Sequence, residues 1–274
     1  MQITARPLRE NILGIDVSVV DLPRAVALVQ KWIHERARAY VCVRDAHGIA
    51  ASLTDPELRG IHNDAALVTP DGMPLVWICR FRGHRQGIGR VYGPDLMLSV
   101  CEASIGRGYR HFLFGATPPV LDRLGAALKA KFPGLAIAGQ LAPPFRDDVG
   151  LEREGIIDQI NAARPDIIWV GLGTPKQERW MAANRARLDA AVVIGVGAAF
   201  DFHSGVKAQA PLWMQKSGLE WLFRVASEPR RLWRRYLRTV PLFAVLCAAE
   251  ALGFRNFGAR GPIGPTSRKV GRAS

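Results

Sequence analysis

Two stretches decide the fold class: DIIWVGLGTPKQE at residues 166–178 and AVVIGVGAAFD at residues 191–201. Each opens with an uninterrupted run of apolar, β-prone residues and then passes through glycines into a polar segment. A strand without polar alternation is buried on both faces, which is typical of a parallel sheet that helices cover on both sides. The two stretches therefore predict strands of an α/β sheet, each followed by a helix.

The rest of the chain repeats this alternation of strand and helix. Asp21 and the Asp55–Pro56 pair are suited to begin helices, and further helices are expected up to about Lys131 and near residues 151–163. Strands that alternate with helices form right-handed βαβ units, so we predict a doubly wound, mostly parallel sheet with helices on both faces. The other strand-like segments lie at residues 12–17, 40–43, 67–69, 110–115 and 135–138.

Positive charge is concentrated in the C-terminal quarter. The formal net charge is +13, and ten of those charges arise from residues 206–274, where 13 Lys and Arg stand against three Glu. Trp213, Trp221 and Trp233 are interleaved with the arginines. This mixture favours an interfacial helix on anionic lipid over a merely solvated face, and both over nucleic-acid binding.

These shifts in composition divide the chain into three parts. We predict an α/β catalytic core over residues 1–205 and a basic amphipathic helical appendage over residues 206–254, which docks on an anionic membrane surface. Residues 255–274 are rich in Gly, Pro and Ser and are predicted to form a disordered tail.

The chain shows no sign of a membrane span or of an oxidising compartment. Its N-terminal segment lacks the apolar core of a signal peptide, and no apolar run approaches the roughly 20 residues that cross a bilayer. The four cysteines are widely spaced and form no C-x-x-C pair, which is typical of buried free thiols. These features predict a cytoplasmic protein.

One carboxylate directly follows a predicted strand. In TPDGMP at residues 69–74, Asp71 lies between the strand and a helix that includes residues 75–78. The commonest role of Asp at such a position is to cap the helix, and the motif alone favours that role. A carboxylate at a strand end can also act as a general base that takes the proton from an attacking hydroxyl.

The first of the two fold-deciding stretches carries residues suited to a phosphate. Ligands of open parallel sheets bind beyond the carboxyl ends of the strands. Gly173 lets a ligand approach the backbone there, and the amides at the helix start near Thr174 attract anions. Lys176 adds a mobile charge and Gln177 a neutral donor–acceptor pair. The alternative is a tight turn with solvated polar residues.

The second stretch has a similar character. Gly197 again permits close approach, and Asp201 can hold a ribose hydroxyl or a base edge. On spacing alone, close packing with Asp201 as a helix N-cap is equally favoured. No D-x-D pair follows a strand, and the histidines show no metal-binding spacing, so neither a metal nor a cofactor is predicted.

Six blocks in this order resemble the WecG/TagA/CpsF family of glycosyltransferases over about residues 10–240. The blocks are TPDGMP at 69–74, RVYGPDL at 90–96, HFLFGATPPV at 111–120, VGLGTPKQERWM at 170–181, GVGAAFDFHSG at 195–205 and APLWMQKSGLEWLFRVASEPRRLWRRYL at 210–237. The resemblance implies a Rossmann-like α/β core, a UDP-sugar donor, inversion at the anomeric carbon and no metal requirement. It also implies an acceptor saccharide on a polyprenyl diphosphate, and an appendage that docks on the inner face of the plasma membrane.

The resemblance assigns roles to individual residues. Asp71 becomes the proposed base, and Gln177 and Asp201 become contacts to the donor. Arginines of the appendage become candidates to close over the diphosphate, with Arg231 and Arg234 as catalytic residues and Arg224 and Arg235 as substrate-binding residues. The sugar is left open between a hexose, an N-acetylhexosamine and its uronic acid, and so is a homo-oligomeric state.

One position departs from the family pattern. Many members have Thr, often with Asn, at the strand end that Val43, Arg44 and Asp45 occupy here. Arg44 cannot replace a Thr hydroxyl, but it can pair with an acidic sugar or a phosphate. We therefore predict that Arg44 and Asp45 contact a substrate.

Two other classes of protein are weighed against this interpretation. A nicotinamide-dependent oxidoreductase would use a similar sheet, but LGIDVSVVDL at residues 13–22 lacks the glycine fingerprint expected near the first strand. A nucleic-acid-binding protein would explain the basic C-terminal segment, but not its interleaved Trp and Leu.

Overall fold

The structure is a computed structural model that describes residues 6–143, 155–254 and 257. The side chains of residues 231, 232 and 234–238 are outside this description. The predicted roles of Arg231, Arg234 and Arg235 therefore fall outside the described side chains, and the predicted tail falls outside the described residues except for residue 257.

Strands and helices alternate through the first 205 residues, as predicted. The strands are β1 (Arg9–Ile12), β2 (Ile15–Ser18), β3 (Ala39–Arg44), β4 (Leu67–Pro70), β5 (Arg110–Gly115), β6 (Ala136–Leu141), β7 (Ile167–Gly171) and β8 (Val192–Gly195). The helices are α1 (Leu22–His34), α2 (Ala46–Ser52), α3 (Pro56–Asp64), α4 (Met73–Phe81), α5 (Gly93–Ser104), α6 (Pro118–Lys131), α7 (Ile156–Ala162), α8 (Lys176–Asn184), α9 (Ala199–His203), α10 (Leu212–Lys216), α11 (Glu220–Ser227) and α12 (Pro229–Ala251).

Six of the strands form one parallel sheet in the order β4-β3-β8-β7-β5-β6. The two fold-deciding stretches supply the adjacent strands β7 and β8, whose residues are buried almost throughout. Apolar clusters lie on both faces of the sheet: α1, α5, α6 and α9 pack on one, and α2, α4, α7, α8 and α12 on the other. The predicted α/β class and the helices on both faces are confirmed.

The prediction of one strand over residues 12–17 is wrong. The chain folds back there into the separate hairpin β1–β2, in which Ile12 pairs with Ile15. Leu13 and Gly14 both have positive φ, 51° and 85°, as a two-residue hairpin turn of the primed type requires. The N–H of Gly14 also donates to the side-chain oxygen of Asn11 at 3.0 Å. The apolar Leu13 conceals this turn in the sequence.

The C-terminal segment is helical, as predicted, and its last helix begins at Pro229. Helix α12 packs on α2, with Phe243 buried at the contact. Arg82 at the end of α4 anchors the far end of α12, because its guanidinium reaches Glu250 at 2.5 Å and Glu10 at 2.9 Å. None of the helices in the described ranges is long and apolar enough to cross a membrane.

The sheet order places a crevice between β3 and β8. These two strands are neighbours, but the helix after β3, α2, packs on one face of the sheet and the helix after β8, α9, packs on the other. The loops that leave the two strands therefore diverge. Ligands of open α/β sheets bind at such a point, beyond the carboxyl ends of the strands.

Candidate active site

A polar cavity of about 380 Å³ occupies this crevice. It lies beyond the ends of β3, β4, β7 and β8 and is also bordered by the start of α5. Eight residues that the sequence singled out line it together: Arg44, Asp45, Asp71, Gly173, Thr174, Gln177, Gly197 and Arg224. Four strand ends and the C-terminal appendage therefore meet at one site.

Glycine makes the close packing around this cavity achievable. A Cβ at Gly195, at the end of β8, would lie 2.8 Å from Cε of Met181 and 3.0 Å from Nε2 of Gln177. A Cβ at Gly93 would lie 3.3 Å from the carbonyl oxygen of Val196. A side chain at either position would displace these neighbours, so the two glycines favour the close approach of α5 and Gln177 to the end of β8.

Arg44 is buried beneath the cavity, with 2% of its surface exposed, and it forms an ion pair with Glu178 of α8. Its Nη2 also donates to Oγ1 of Thr174 at 2.8 Å, and its Nε donates to the carbonyl oxygen of Val43 at 2.8 Å. Its Nη1 has no hydrogen-bond partner among the described residues. The positive charge of Arg44 is therefore balanced within the protein, while one of its donor nitrogens is left without a partner.

Gln177 presents a neutral acceptor at the same site. The side chain is 2% exposed, and its Nε2 donates to Oε1 of Glu178 at 2.8 Å. Its Oε1 has no partner among the described residues and would lie 3.6 Å from a Cβ placed on Gly197. A buried amide oxygen without a partner is costly, so a ligand donor in the cavity would be bound favourably.

Two carboxylates line the cavity in contrasting states. Asp45 caps α2 and accepts from the N–H of Gly48 at 2.7 Å. Burial alone would raise the pKa of Asp45, but His47, the Gly48 N–H and Arg44 together hold that pKa below its ordinary value. Asp45 is therefore ionised and fixed at the helix start.

Asp71 has the opposite character. Burial and the nearby carboxylate of Glu220 raise the pKa of Asp71 to about 7, although Arg90 and Arg224 act in the other direction. Its Oδ1 has no hydrogen-bond partner among the described residues. The surroundings of Asp45 and Asp71 shift their pKa values in opposite directions. Two carboxylates with such different pKa values can take different acid–base roles in one site.

The prediction that Asp71 caps a helix is wrong. Gly72 is the N-cap of α4, and no side chain closes that helix end. The backbone of Asp71 is instead held on both sides: its N–H donates to the carbonyl oxygen of Arg44 at 2.8 Å, and its carbonyl oxygen accepts from Nε of Arg90 at 2.7 Å. The carboxylate is thereby kept at the cavity rather than turned back to the helix.

Arg90, like Glu178 and Glu220, is a residue of the site to which the sequence analysis assigned no role. Besides the carbonyl of Asp71, its guanidinium binds Oε1 of Gln215 at 2.8 Å and forms an ion pair with Glu220, and it lies 4.0 Å from the ring centroid of Tyr92. It thus joins the end of β4 to α10 and α11. Arg90 and Tyr92 both belong to the RVYGPDL block, which carried the family resemblance but no assigned role.

Other predicted residues lie beside the cavity rather than on it. Lys176 is the first residue of α8 and does not line the cavity. Asp201 does not line it either, and its carboxylate forms an ion pair with Lys207 at 2.9 Å. The alternative role of Asp201 as a helix cap is not observed, because Ala198 is the N-cap of α9 and Asp201 lies in its first turn.

A second, apolar cavity of about 340 Å³ opens next to the first, between α4, α11 and α12. Its walls include Met73, Trp77, Ile78, Trp221, Val240, Phe243, Ala244 and Cys247. The two cavities share three lining residues, Asp45, Asp71 and Arg224. Asp71 therefore lies where a polar space and an apolar space meet. Within the described ranges, no three His, Cys, Asp or Glu side chains come together as a metal site would require.

A comparison with known protein families finds a match for this chain. The family model described as "Glycosyl transferase WecG/TagA/CpsF family" matches residues 10–256. Three curated relatives share the name N-acetylglucosaminyldiphosphoundecaprenol N-acetyl-beta-D-mannosaminyltransferase. The protein from Bacillus subtilis (strain 168) is 28% identical over 230 residues, which are 84% of this chain and 87% of the relative. The protein from Bacillus spizizenii is 31% identical over 68% of this chain and 70% of the relative, and that from Staphylococcus aureus (strain MW2) is 25% identical over 85% and 89%.

The family model covers most of the chain, including both cavities and the appendage helices. The resemblance that the six sequence blocks indicated is confirmed. This chain belongs to the WecG/TagA/CpsF family of glycosyltransferases.

Proposed function

We propose that this enzyme transfers an N-acetylhexosamine from a UDP-sugar to a saccharide on polyprenyl diphosphate, in the synthesis of a bacterial surface or exopolysaccharide. The transfer inverts the anomeric carbon and requires no metal. The relatives' names support the sugar and the acceptor, since they specify N-acetylmannosaminyl transfer to N-acetylglucosaminyldiphosphoundecaprenol. The observation that carries the proposal is the position of Asp71 between a polar and an apolar cavity.

The polar cavity is the proposed donor site. It occupies the crevice of the sheet at which nucleotides commonly bind, and the Gly173 and Gly197 loops leave its walls open to a ligand. The amides at the start of α8 and the charge of Lys176 beside them would face the diphosphate, and Arg224 would approach it from the appendage. Asp201 would reach the donor only after its ion pair with Lys207 opened.

The buried ion pair in this cavity bears on the transferred sugar. Because Glu178 balances the charge of Arg44, the floor of the cavity offers no net positive charge to a uronate. Oε1 of Gln177 lies near the Gly197 loop, has no hydrogen-bond partner among the described residues and can only accept. A hydroxyl or amide of a neutral hexose or N-acetylhexosamine could donate to it, whereas a carboxylate could not, so we favour a neutral sugar over a uronic acid.

Asp71 is the proposed general base. Its carboxylate takes the proton of the acceptor hydroxyl while the hydroxyl oxygen forms a bond to the anomeric carbon. The bond from that carbon to the UDP oxygen breaks on the opposite side, so configuration inverts and UDP leaves with the electron pair. A pKa raised to about 7 suits this role, since a base is most effective near the working pH.

Negative charge on the departing UDP then needs stabilisation. The α8 amides, Lys176 and Arg224 are the proposed sources within the described residues, and Arg231, Arg234 and Arg235 of α12 are the proposed additions from the appendage. Because α12 packs on α2 and Arg90 binds Glu220 of α11, the appendage borders the site directly.

We further propose that the appendage holds the enzyme on the inner face of the plasma membrane. The helices α10–α12 expose large apolar side chains, among them Leu212, Trp213 and Leu242, in a segment rich in arginine. Apolar groups that enter the lipid boundary beside cations that meet head groups form an interfacial surface. Co-flotation with phosphatidylglycerol vesicles should require residues 206–254 and should weaken as salt rises.

The test of the function is UDP release from a panel of UDP-sugars, with and without N-acetylglucosamine linked to undecaprenyl diphosphate in vesicles. We expect release with a UDP-N-acetylhexosamine, strictly dependent on the acceptor. Release with UDP-glucose or a UDP-uronic acid instead would correct the sugar. The absence of release with every donor and this acceptor would contradict the proposal.

A further inference from the structure

The apolar cavity beside Asp71 has the shape of a binding site rather than of a packing defect. It holds about 340 Å³ and is walled by side chains of α4, α11 and α12. A cavity of this size that opens to solvent and is lined by apolar groups is typical of a site for an apolar ligand. Helix α12, which closes one side, is fixed on the core at Phe243 and at the Arg82–Glu250 ion pair, so the space is bounded by packed elements.

The residues that the two cavities share are polar, and the walls peculiar to the second cavity are largely apolar. Asp71 and Arg224 line both cavities, whereas His47, Met73 and Trp77 line only the second. A ligand that extends from the first cavity into the second therefore passes a carboxylate and an arginine before it reaches an apolar space. The proposed acceptor has the same polarity, with a saccharide hydroxyl and a diphosphate at one end and an isoprenoid chain at the other.

An exit for a longer chain is also present. Trp77 lines the cavity and is 47% exposed, and Phe81, four residues further along α4, is 85% exposed. Residues four apart lie on the same face of a helix, so these two rings form a continuous apolar path from the cavity to the surface. The exposed rings belong to the core rather than to the appendage, so this apolar path lies on α4.

We propose that the apolar cavity between α4 and α12 binds the first isoprene units of the acceptor's polyprenyl chain, and that the chain leaves over Trp77 and Phe81. The inference rests on the proposed function for the identity of the acceptor. The cavity is continuous with the catalytic carboxylate, and it places the acceptor diphosphate beside Arg224. The structure thereby assigns α4 a substrate-binding role.

Adjacent residues of α12 provide a matched pair of variants. Ala244 lines the cavity, whereas Val245 is 64% exposed and does not. Ala244 is itself solvent-accessible, so a large side chain there can fill the mouth of the cavity without entering the core. Ala244→Trp should therefore obstruct the cavity, and Val245→Trp should not. Val240→Phe, at another lining position, is the second obstructing variant if Ala244→Trp fails to fold.

The binding test uses farnesyl diphosphate as the probe, measured by titration calorimetry on the full chain without a donor. We expect the wild type and Val245→Trp to bind farnesyl diphosphate at least about tenfold more tightly than pyrophosphate, since burial of several methylene groups adds that much affinity. Ala244→Trp should lose this advantage and bind the two compounds alike. Equal affinity of Ala244→Trp and wild type for farnesyl diphosphate would overturn the proposal. Wild-type binding of decanoate as tight as that of farnesyl diphosphate would overturn it in favour of a membrane acyl chain.

A kinetic test separates this inference from the proposed function. With a prenyl-linked acceptor, Ala244→Trp should raise KM at least about tenfold, whereas with the same saccharide on methyl diphosphate it should match the wild type. Equal KM values for the two acceptors in the wild type would overturn the prenyl site while leaving the glycosyltransferase intact. If no protein released UDP with either acceptor, the proposed function would fail, and the calorimetry would still decide what the cavity binds.

Discussion

Glu220 of the appendage should set the pH at which Asp71 becomes an effective base. The groups that act on Asp71 are Glu220 and Asp45, which raise its pKa, and Arg90 and Arg224, which lower it. Burial is the largest influence and Glu220 the next. Glu220→Gln removes the negative charge but keeps the shape and an oxygen that can accept from Arg90, so it isolates the electrostatic contribution.

The expected size follows from the raised pKa of Asp71. With a pKa of about 7, about one tenth of Asp71 is ionised at pH 6. Removal of one nearby carboxylate should lower that pKa by about one unit, or about 1.4 kcal/mol, which raises the ionised fraction at pH 6 to about one half. Because only the ionised form is a base, kcat/KM at pH 6 should rise about fivefold, with little change at pH 8.

The assay is the pH profile of kcat/KM for UDP release at saturating donor. Its acid limb should move to lower pH in Glu220→Gln. Glu228→Gln is the control, because Glu228 lies in the same appendage but pairs with Lys207 at 3.3 Å and is not among the groups acting on Asp71. An unmoved acid limb in Glu220→Gln, or an equal shift in both variants, would refute the reasoning.

Two further changes test the packing of the donor site. Gly195→Ala should displace Gln177 and raise the KM for the donor by about tenfold. Gly60→Ala in α3, where a Cβ meets nothing within 4 Å, is the control and should leave the kinetics unchanged. Donor titrations of the wild type and both variants measure these KM values, and a wild-type KM for Gly195→Ala would contradict the tight contact. Glu178→Gln should lower the free energy of unfolding by about 3–5 kcal/mol, because it leaves the charge of Arg44 buried without its partner. The double variant Arg44→Met, Glu178→Gln should lose less, and urea unfolding that ranks the double variant below the single one would argue against a buried pair.

The sequence predicted the central strands of the sheet well because they are buried almost throughout. Runs such as residues 167–171 and 192–195 are apolar at every position and end in glycine, so neither their class nor their ends depend on distant partners. The hairpin at residues 9–18 was missed because its turn residue, Leu13, is itself apolar and adopts a positive φ that its side chain does not favour.

The candidate site was predicted only in part, for a physical reason. Asp71 and Asp201 both follow strands in sequence, yet only Asp71 lines the cavity, since the side chain of Asp201 pairs with Lys207 instead. Arg90 and Glu220 are 130 residues apart, so their ion pair depends on how the appendage packs. The charges that surround a site depend on such contacts between residues far apart in the sequence. Local sequence motifs do not show which distant residues will pair.

The most direct test of the account is the turnover of Asp71→Asn, measured as acceptor-dependent UDP release at saturating substrates. The substitution keeps the shape of the side chain and removes the base, so kcat should fall by about 10²–10⁴-fold while the KM for the donor stays near that of the wild type. Thermal unfolding at the wild-type temperature or above would show that the fold is intact. A kcat within about threefold of the wild type would contradict the assignment of Asp71 as the base, and with it the account of the site.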